Sequence, residues 1–404
     1  MKKENRMKKT LNLVMALTLM MSNIASAEDI YLAKIDANSV TRSILVNDNG
    51  SPIDSVLPEN TNNFGFSKIE CGGAHCYAIK EGRLYSVGYN TSGQLGRSFG
   101  NKYTWGLVAN MNNVTDISAG SEHGYAISSG MLYSVGNNQY GQLGRNGTIN
   151  QYVWGPVSNM TTDVTAIAAG VGYGYAVKGG QLYSVGYNNY AQLNQKTWQF
   201  VLGMNNVTDV VAGDAHSYAI KDGNIYSVGY NAYGQLGRAG TTSQSTWGIV
   251  SEMDGVTYIK AGANHGYAIK GGQIYSVGDN GQGQLGREGY TRQSIWGVSS
   301  DLTGVSAISS GAYHGYAIKD GQLYAVGLNS FGQLGNSGAS LQNTWSLIVG
   351  MSGVAAVSGG GYQGYVISGG QIYSAGRNNY GQLGLGDTAN RNAFTPLDPT
   401  TLVE

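Results

Sequence analysis

The tetrapeptide Gly-Gln-Leu-Gly stands at 93–96, 141–144, 234–237, 283–286, 332–335 and 381–384, and a worn copy, Ala191-Gln192-Leu193-Asn194, fills the one gap. Its glutamines, Gln94, Gln142, Gln192, Gln235, Gln284, Gln333 and Gln382, lie 48, 50, 43, 49, 49 and 49 residues apart. A period near fifty marks a repeat architecture, in which each unit is one supersecondary piece that cannot bury its apolar face alone. One closed domain is therefore expected where length by itself suggests two or three. The worn copy and its short spacing mark one irregular unit.

The unit reads V-x-x-I-x-A-G-x-x-H-G-Y-A-I-K-x-G-Q-L-Y-S-V-G-x-N-x-Y-G-Q-L-G-R, then a variable loop and W-G-x-V. Three strands follow from it: V-x-x-I, as at 114–117; H-G-Y-A-I, as at 123–127; and L-Y-S-V-G, as at 132–136. Between the second and third stands a two-residue turn, Glu81-Gly82, Asp222-Gly223, Asp320-Gly321 or Gly-Gly, the composition that primed hairpin turns require. A fourth strand gathers around Trp105, Trp154, Trp198, Trp247, Trp296 and Trp345, with Phe394 in the last copy. Four antiparallel strands repeated radially close on themselves and leave only short edges. The expected fold is all-β, a seven-bladed β-propeller of four-stranded antiparallel blades over residues 64–404.

Ahead of the repeats, a basic stretch (Lys2, Lys3, Arg6, Lys8, Lys9), an apolar run at 11–21 and Ala25-Ser26-Ala27 read as a signal peptide over residues 1–27. The expectation is an exported protein, periplasmic or extracellular, with no membrane span after signal removal, since no other stretch approaches ~20 apolar residues. Residues 28–63 fit the repeat poorly. Strands at 43–46 and 53–57 around Asn47-Asp48-Asn49-Gly50 are expected to help close the ring near 390–402.

Lys+Arg and Asp+Glu balance at 24 each, so no basic face is available to bind nucleic acid. Cys71 and Cys76 take positions where the other copies hold small residues, Ala119 and Gly124 in the next one. That favours two small packed thiols over a local disulfide, which an oxidising compartment would permit.

In this order and at this period, G-x-x-H, Y-S-V-G, G-x-N and G-Q-L-G resemble the repeat of the regulator of chromosome condensation family over about residues 64–398. The resemblance implies a seven-bladed propeller. One departure is Trp in the fourth strand where the family often has Pro, as in Trp105-Gly106-Leu107-Val108. The founding member is a nuclear guanine-nucleotide exchange factor that docks on chromatin and a small GTPase. The export signal, the balanced charge and the lack of long insertions argue against transferring that role. Exported bacterial members include secreted β-lactamase inhibitors, which bind an enzyme with one face of the propeller.

Repetition weighs the chemical motifs. All five histidines, His75, His123, His216, His265 and His314, hold one repeat position, with Tyr173 and Gln363 completing it. Blade-to-blade spacing is too large for one metal ion, so structural hydrogen bonding is expected and no metal site. The G-x-G-x-x-G match at 281–286 is an accident of the repeat, with no helix to present to phosphate. No catalytic set and no cofactor site is read. Arg97, Arg145, Arg238 and Arg287, after G-Q-L-G, are read as loop caps before an anion-binding arc.

Function is expected where copies differ. Antiparallel topology brings the G-x-x-H and G-x-N loops to one face. Its variable residues include Tyr89, Glu122, Asn137, Tyr187, Asp214, Tyr230, Asp279, Tyr313, Tyr362 and Arg377, aromatics with a few charges such as protein interfaces enrich. The chain is accordingly expected to be a monomeric, non-enzymatic propeller binding a protein partner. A secreted enzyme inhibitor is one alternative, and a glycan or cell-wall module is another.

Overall fold

The computed structural model describes residues 65–403 except 146, 191, 192 and 339, together with Tyr31–Leu32 and Leu45–Val46. These two short strands form an antiparallel pair in a unit of their own, residues 1–61. The segment at 53–57 and the proposed signal peptide lie outside the described residues.

Residues 62–404 form the second unit, in which seven four-stranded antiparallel sheets follow one another in chain order. Blade 1 consists of Phe66–Cys71 (innermost), His75–Lys80, Arg83–Gly88 and Lys102–Leu107 (outermost). The second strand of every blade is almost wholly buried, as the unbroken Y-A-I run requires. The hairpin between second and third strands has positive φ at both central residues, 51° and 73° at Glu81-Gly82, which is the primed geometry.

Blades are joined by the tryptophans. Trp154 of blade 2 meets Tyr77 of blade 1 edge-on at 5.3 Å, and Trp198, Trp247, Trp296 and Trp345 repeat the contact on Tyr125, Tyr175, Tyr218 and Tyr267. Phe394 takes the same place against Tyr316. Trp105 on Tyr365, 5.8 Å apart, makes blade 7 the neighbour of blade 1 and closes the ring. The departure from Pro thus supplies the inter-blade wedge.

Gly-Gln-Leu-Gly is the seat of that wedge. A Cβ on Gly96, at φ +64°, would lie 2.1 Å from the Trp154 ring of the next blade. The glutamine carbonyl accepts the phenol of the blade's own Tyr77, and Gln94 Oε1 accepts the Ser92 amide at 3.0 Å. Asn90 Oδ1 accepts the Leu95 amide at 2.9 Å, the side-chain-to-backbone turn that G-x-N suggests. In blade 3 the third and fourth strands continue their pairing as far as Asn188 opposite Leu193, so the blade with the shortened spacing is the irregular one.

The seam carries an additional strand pairing. Val403 runs parallel to Gly106, with Leu107 N donating to Val403 O at 2.9 Å and Val403 N to Trp105 O at 3.0 Å. The C-terminal residues thus lock blade 1 from outside.

One expectation is corrected. Cys71 and Cys76 form a disulfide. They face each other across the first antiparallel pair with Cα atoms 4.2 Å apart, a register that brings the two sulfurs within bonding reach.

Candidate partner-binding face

The G-x-x-H and G-x-N loops emerge together because they are tied to each other. Tyr89 N donates to Ala74 O at 2.9 Å, and the bond recurs as Asn137 to Glu122, Tyr187 to Gly172 and Tyr230 to Ala215. Gly88 makes this approach possible: at φ +106°, a Cβ there would stand 2.5 Å from Ala74 O. Topology and hydrogen bonding therefore agree on one loop face.

On that face, aromatic rings link neighbouring blades. Tyr140 stacks on Tyr187 at 5.6 Å with 20° between planes, and Tyr190 meets Tyr230 at 4.7 Å. Tyr380 of blade 7 meets Tyr89 of blade 1 at 4.9 Å. Tyr313 and Tyr362 are 5.9 Å apart, with Phe331 5.3 Å from Tyr362. The Arg377 guanidinium lies 5.4, 6.0 and 5.8 Å from the rings of Phe331, Tyr362 and Tyr380, so this cation is already covered by aromatic neighbours.

The polar candidates divide. Glu122 is tied by Ser92 Oγ at 3.0 Å and Asn137 Nδ2 at 3.1 Å, and Asp279 accepts from Gln284 Nε2 at 2.9 Å. Asp214 stands one repeat position earlier than Glu122, beside Ser121 and Ala263, and lines the mouth of the central channel. Burial raises the Tyr313 phenol pKa, and Tyr362, Asp214 and Asp279 add to this.

Sequence reasoning missed Tyr140, Tyr190, Tyr233, Phe331 and Tyr380, the residue just before G-Q-L-G or its worn copy. The signal was present: this position carries Ser92 and Gln282 in other blades, so it is not a fixed part of the joint. Tyr140, Tyr190 and Tyr380 are also exposed, whereas the joint is buried.

The family profile described as Regulator of chromosome condensation (RCC1) repeat matches residues 81–127, 129–177, 222–269 and 369–403. RCC1 repeats are thus present in these four stretches. Human WBSCR16 shares 18% identity with it at TM-score 0.70, over 78% of this chain and 94% of that one. Prp20p from Saccharomyces cerevisiae gives 18% and 0.70, over 84% and 88%. The structure of Kap60 bound to yeast RCC1 (Prp20) gives 18% and 0.71, over 93% and 92%. At such identity the likeness establishes the fold. No curated protein matches the chain in sequence.

In these RCC1 repeats the histidines are packing elements. Each is fully buried and meets, edge-on, the tyrosine two residues ahead, as His123 meets Tyr125 at 5.1 Å. Tyr173 and Gln363 bond to the next blade, Tyr173 Oη to Gly213 O and His216 O and Gln363 Nε2 to Gly72 O. The hydrogen-bonding role expected of the histidines is corrected: among the five only His265 makes a ring hydrogen bond, with Ser310 Oγ at 2.9 Å, because the others are enclosed by packing. Burial pulls the imidazole pKa values down, to about 3 at His75 and His265 and about 4 at His123, His216 and His314. The rings are neutral at neutral pH.

The arginines after G-Q-L-G are caps. Arg97 Nη1 donates to Ser86 O at 2.8 Å and Thr104 O at 3.3 Å, where the outer strand pulls away from the third. Arg145 and Arg287 repeat this, and in blade 6 Gln342 donates to Ala325 O instead. Deeper in the channel, Lys260 of blade 5 reaches Glu70 of blade 1 at 2.9 Å and Lys68 pairs with Asp116 at 2.5 Å. Burial opposes the Lys260 charge, but Glu70 and Tyr258 more than offset it and hold the ammonium protonated. Burial pushes Asp209 up to about 6 against the pull of Lys260.

Proposed function

We propose that this RCC1-repeat propeller is exported, acts as a monomer without catalysing a reaction, and binds a protein partner through its tyrosine-rich loop face. The observation that carries the reading is the set of exposed aromatic contacts that bridge blades at positions the fold leaves free to vary. Rigid aromatic side chains that are preordered on a surface contribute contact area at low entropic cost, which is how binding surfaces use them. Protein binding also suits the fold's relatives: Prp20p is described by its binding properties to Gsp1p and histones, and yeast RCC1 as bound by Kap60. Export rests on the basic, apolar and Ala-Ser-Ala pattern of residues 1–27.

The decisive experiment replaces Tyr89, Tyr187, Tyr230 and Tyr313 by Ala together and compares affinity capture with the unchanged protein from the native exported fraction. Loss of the captured partner with an unaltered circular dichroism spectrum is expected, and undiminished capture sinks the face assignment. Mass spectrometry of the exported form should find Glu28 at its N-terminus. Within the protein-binding reading, a secreted enzyme inhibitor is the specific form that the resemblance to β-lactamase inhibitor propellers suggests. The near-parallel Tyr140 and Tyr187 rings favour one second reading, a glycan platform, and a glycan array separates the two. Nucleotide-exchange assays on a small GTPase are expected to show no acceleration.

A further inference from the structure

At the centre of the tyrosine-rich face the channel mouth opens as a basin of about 260 Å³. That is below the ~300 Å³ at which small-molecule pockets begin, and suits one side chain better than a segment of backbone. Its wall is the G-x-x loops, which are small-residue turns such as Gly72-Gly73, Gly311-Ala312 and Gly360-Gly361. These loops bond to one another round the ring, Gly73 N to Gly120 O at 3.3 Å and Gly361 N to Gly72 O at 3.1 Å, so their peptide groups have partners. Below, the Lys260–Glu70 pair spans the channel.

Asp214 is the one charged residue lining this basin. Among the described residues no hydrogen bond or ion pair reaches its carboxylate, whereas Glu122 and Asp279 on the same face are both tied. Lys260 is held by Glu70 and Asp209. The face carries three acids, Glu122, Asp214 and Asp279, against Arg377, whose charge its own aromatic neighbours cover, and Arg292, which donates to Ala232 O at 2.8 Å. Asp214 stands exposed at the basin's mouth, and a carboxylate there without a cation of its own is a place where a cation from outside gains.

We propose that the channel mouth is a socket for a single guanidinium or ammonium side chain of the partner, its charge meeting Asp214 and its stem passing over Tyr313 and Tyr362. This rests on the reading of the face as a protein-binding surface. It commits that reading to a partner presenting Arg or Lys on a protruding loop, and a planar guanidinium beside two rings is the better match.

The test uses short disulfide-closed hairpin peptides that are fluorescently labelled and carry Arg, citrulline or Glu at the tip. Binding is followed by anisotropy. The Arg peptide should bind at least about tenfold more tightly than its neutral isostere citrulline, a difference of ~1.4 kcal/mol. Asp214→Asn should reduce Arg to the citrulline level while the thermal midpoint stays unchanged. The socket is overturned if Arg and citrulline bind alike, if Asp214→Asn has no effect, or if no Arg peptide binds up to about 1 mM, where affinity falls to ~4 kcal/mol. A triple Tyr89→Ala, Tyr187→Ala, Tyr230→Ala variant separates the two ideas. If it weakens every peptide while Asp214→Asn is silent, the face stands and the socket falls; if neither change matters, both fall.

Discussion

Acid should unfold this propeller through its histidines. In the unfolded chain each imidazole titrates near 6.5, whereas in the fold His75 and His265 titrate at about 3 and His123, His216 and His314 at about 4. Below pH 6.5 the unfolded state therefore binds protons that the folded state refuses, and stability falls as pH drops until the folded pKa values are reached. One pKa unit corresponds to ~1.4 kcal/mol, so each histidine forfeits about 2 kcal/mol between pH 6.5 and 5. Five give a ceiling near 10 kcal/mol, comparable to the whole stability of a typical domain. Asp209 works the other way: its folded pKa of about 6 lies above the unfolded carboxylate value, so it gains stability as pH falls and cancels roughly one histidine. The net slope between pH 5 and 6 is then about four protons, or ~5 kcal/mol per pH unit. Denaturant unfolding followed by tryptophan fluorescence from pH 8 to 5 measures it. His123→Gln, which copies the residue that blade 7 already uses at Gln363, should reduce the slope by about one proton. A flat stability between pH 7 and 5, or an unchanged slope in the variant, would refute the reasoning.

Trp154→Ala should cost about 3–5 kcal/mol, because the ring fills the seat between blades 1 and 2 and nothing nearby can collapse into it; a loss under about 1 kcal/mol by thermal or denaturant unfolding would show that the blades are held otherwise. Arg97→Ala should cost about 1–3 kcal/mol, measured by denaturant unfolding, by leaving two carbonyls short of a donor. Reducing Cys71–Cys76 should lower stability by no more than about 2 kcal/mol, since the loop it closes is short, and the reduced protein should retain its circular dichroism spectrum.

Much of the fold was legible because repetition acts as a control. Six surroundings agree on G-Q-L-G, and the geometry gives the reason: the last glycine must clear the next blade's tryptophan or Phe394, and the glutamine carbonyl must accept the tyrosine phenol. At the histidine position the copies share burial and an edge-on contact with a tyrosine, a packing role that Tyr173 fills as well. The control erred at the cysteines. Alignment reported that both positions want small residues but not that they face each other, which is a matter of register between two strands. The Val403 pairing was equally hidden, since a single residue beside Gly106 leaves no periodic trace.

At the site the control misled in an instructive way. The tyrosine before G-Q-L-G recurs in four blades, at Tyr140, Tyr190, Tyr233 and Tyr380, and so reads as part of the joint. Recurrence argues for structure only where burial or hydrogen bonding uses the side chain. Tyr140, Tyr190 and Tyr380 are exposed, and their rings reach forward to Tyr187, Tyr230 and Tyr89 on the next blade. Where the pair is absent, between blades 1 and 2, Ser92, Glu122 and Asn137 make a polar link instead, so the fold itself does not require the rings. Residues that are repeated, exposed and dispensable to the blade are the ones on which the proposed partner-binding face rests. If the face binds a partner as proposed, the order in which aromatic and polar links alternate round the rim is what distinguishes this chain's surface from a uniform ring.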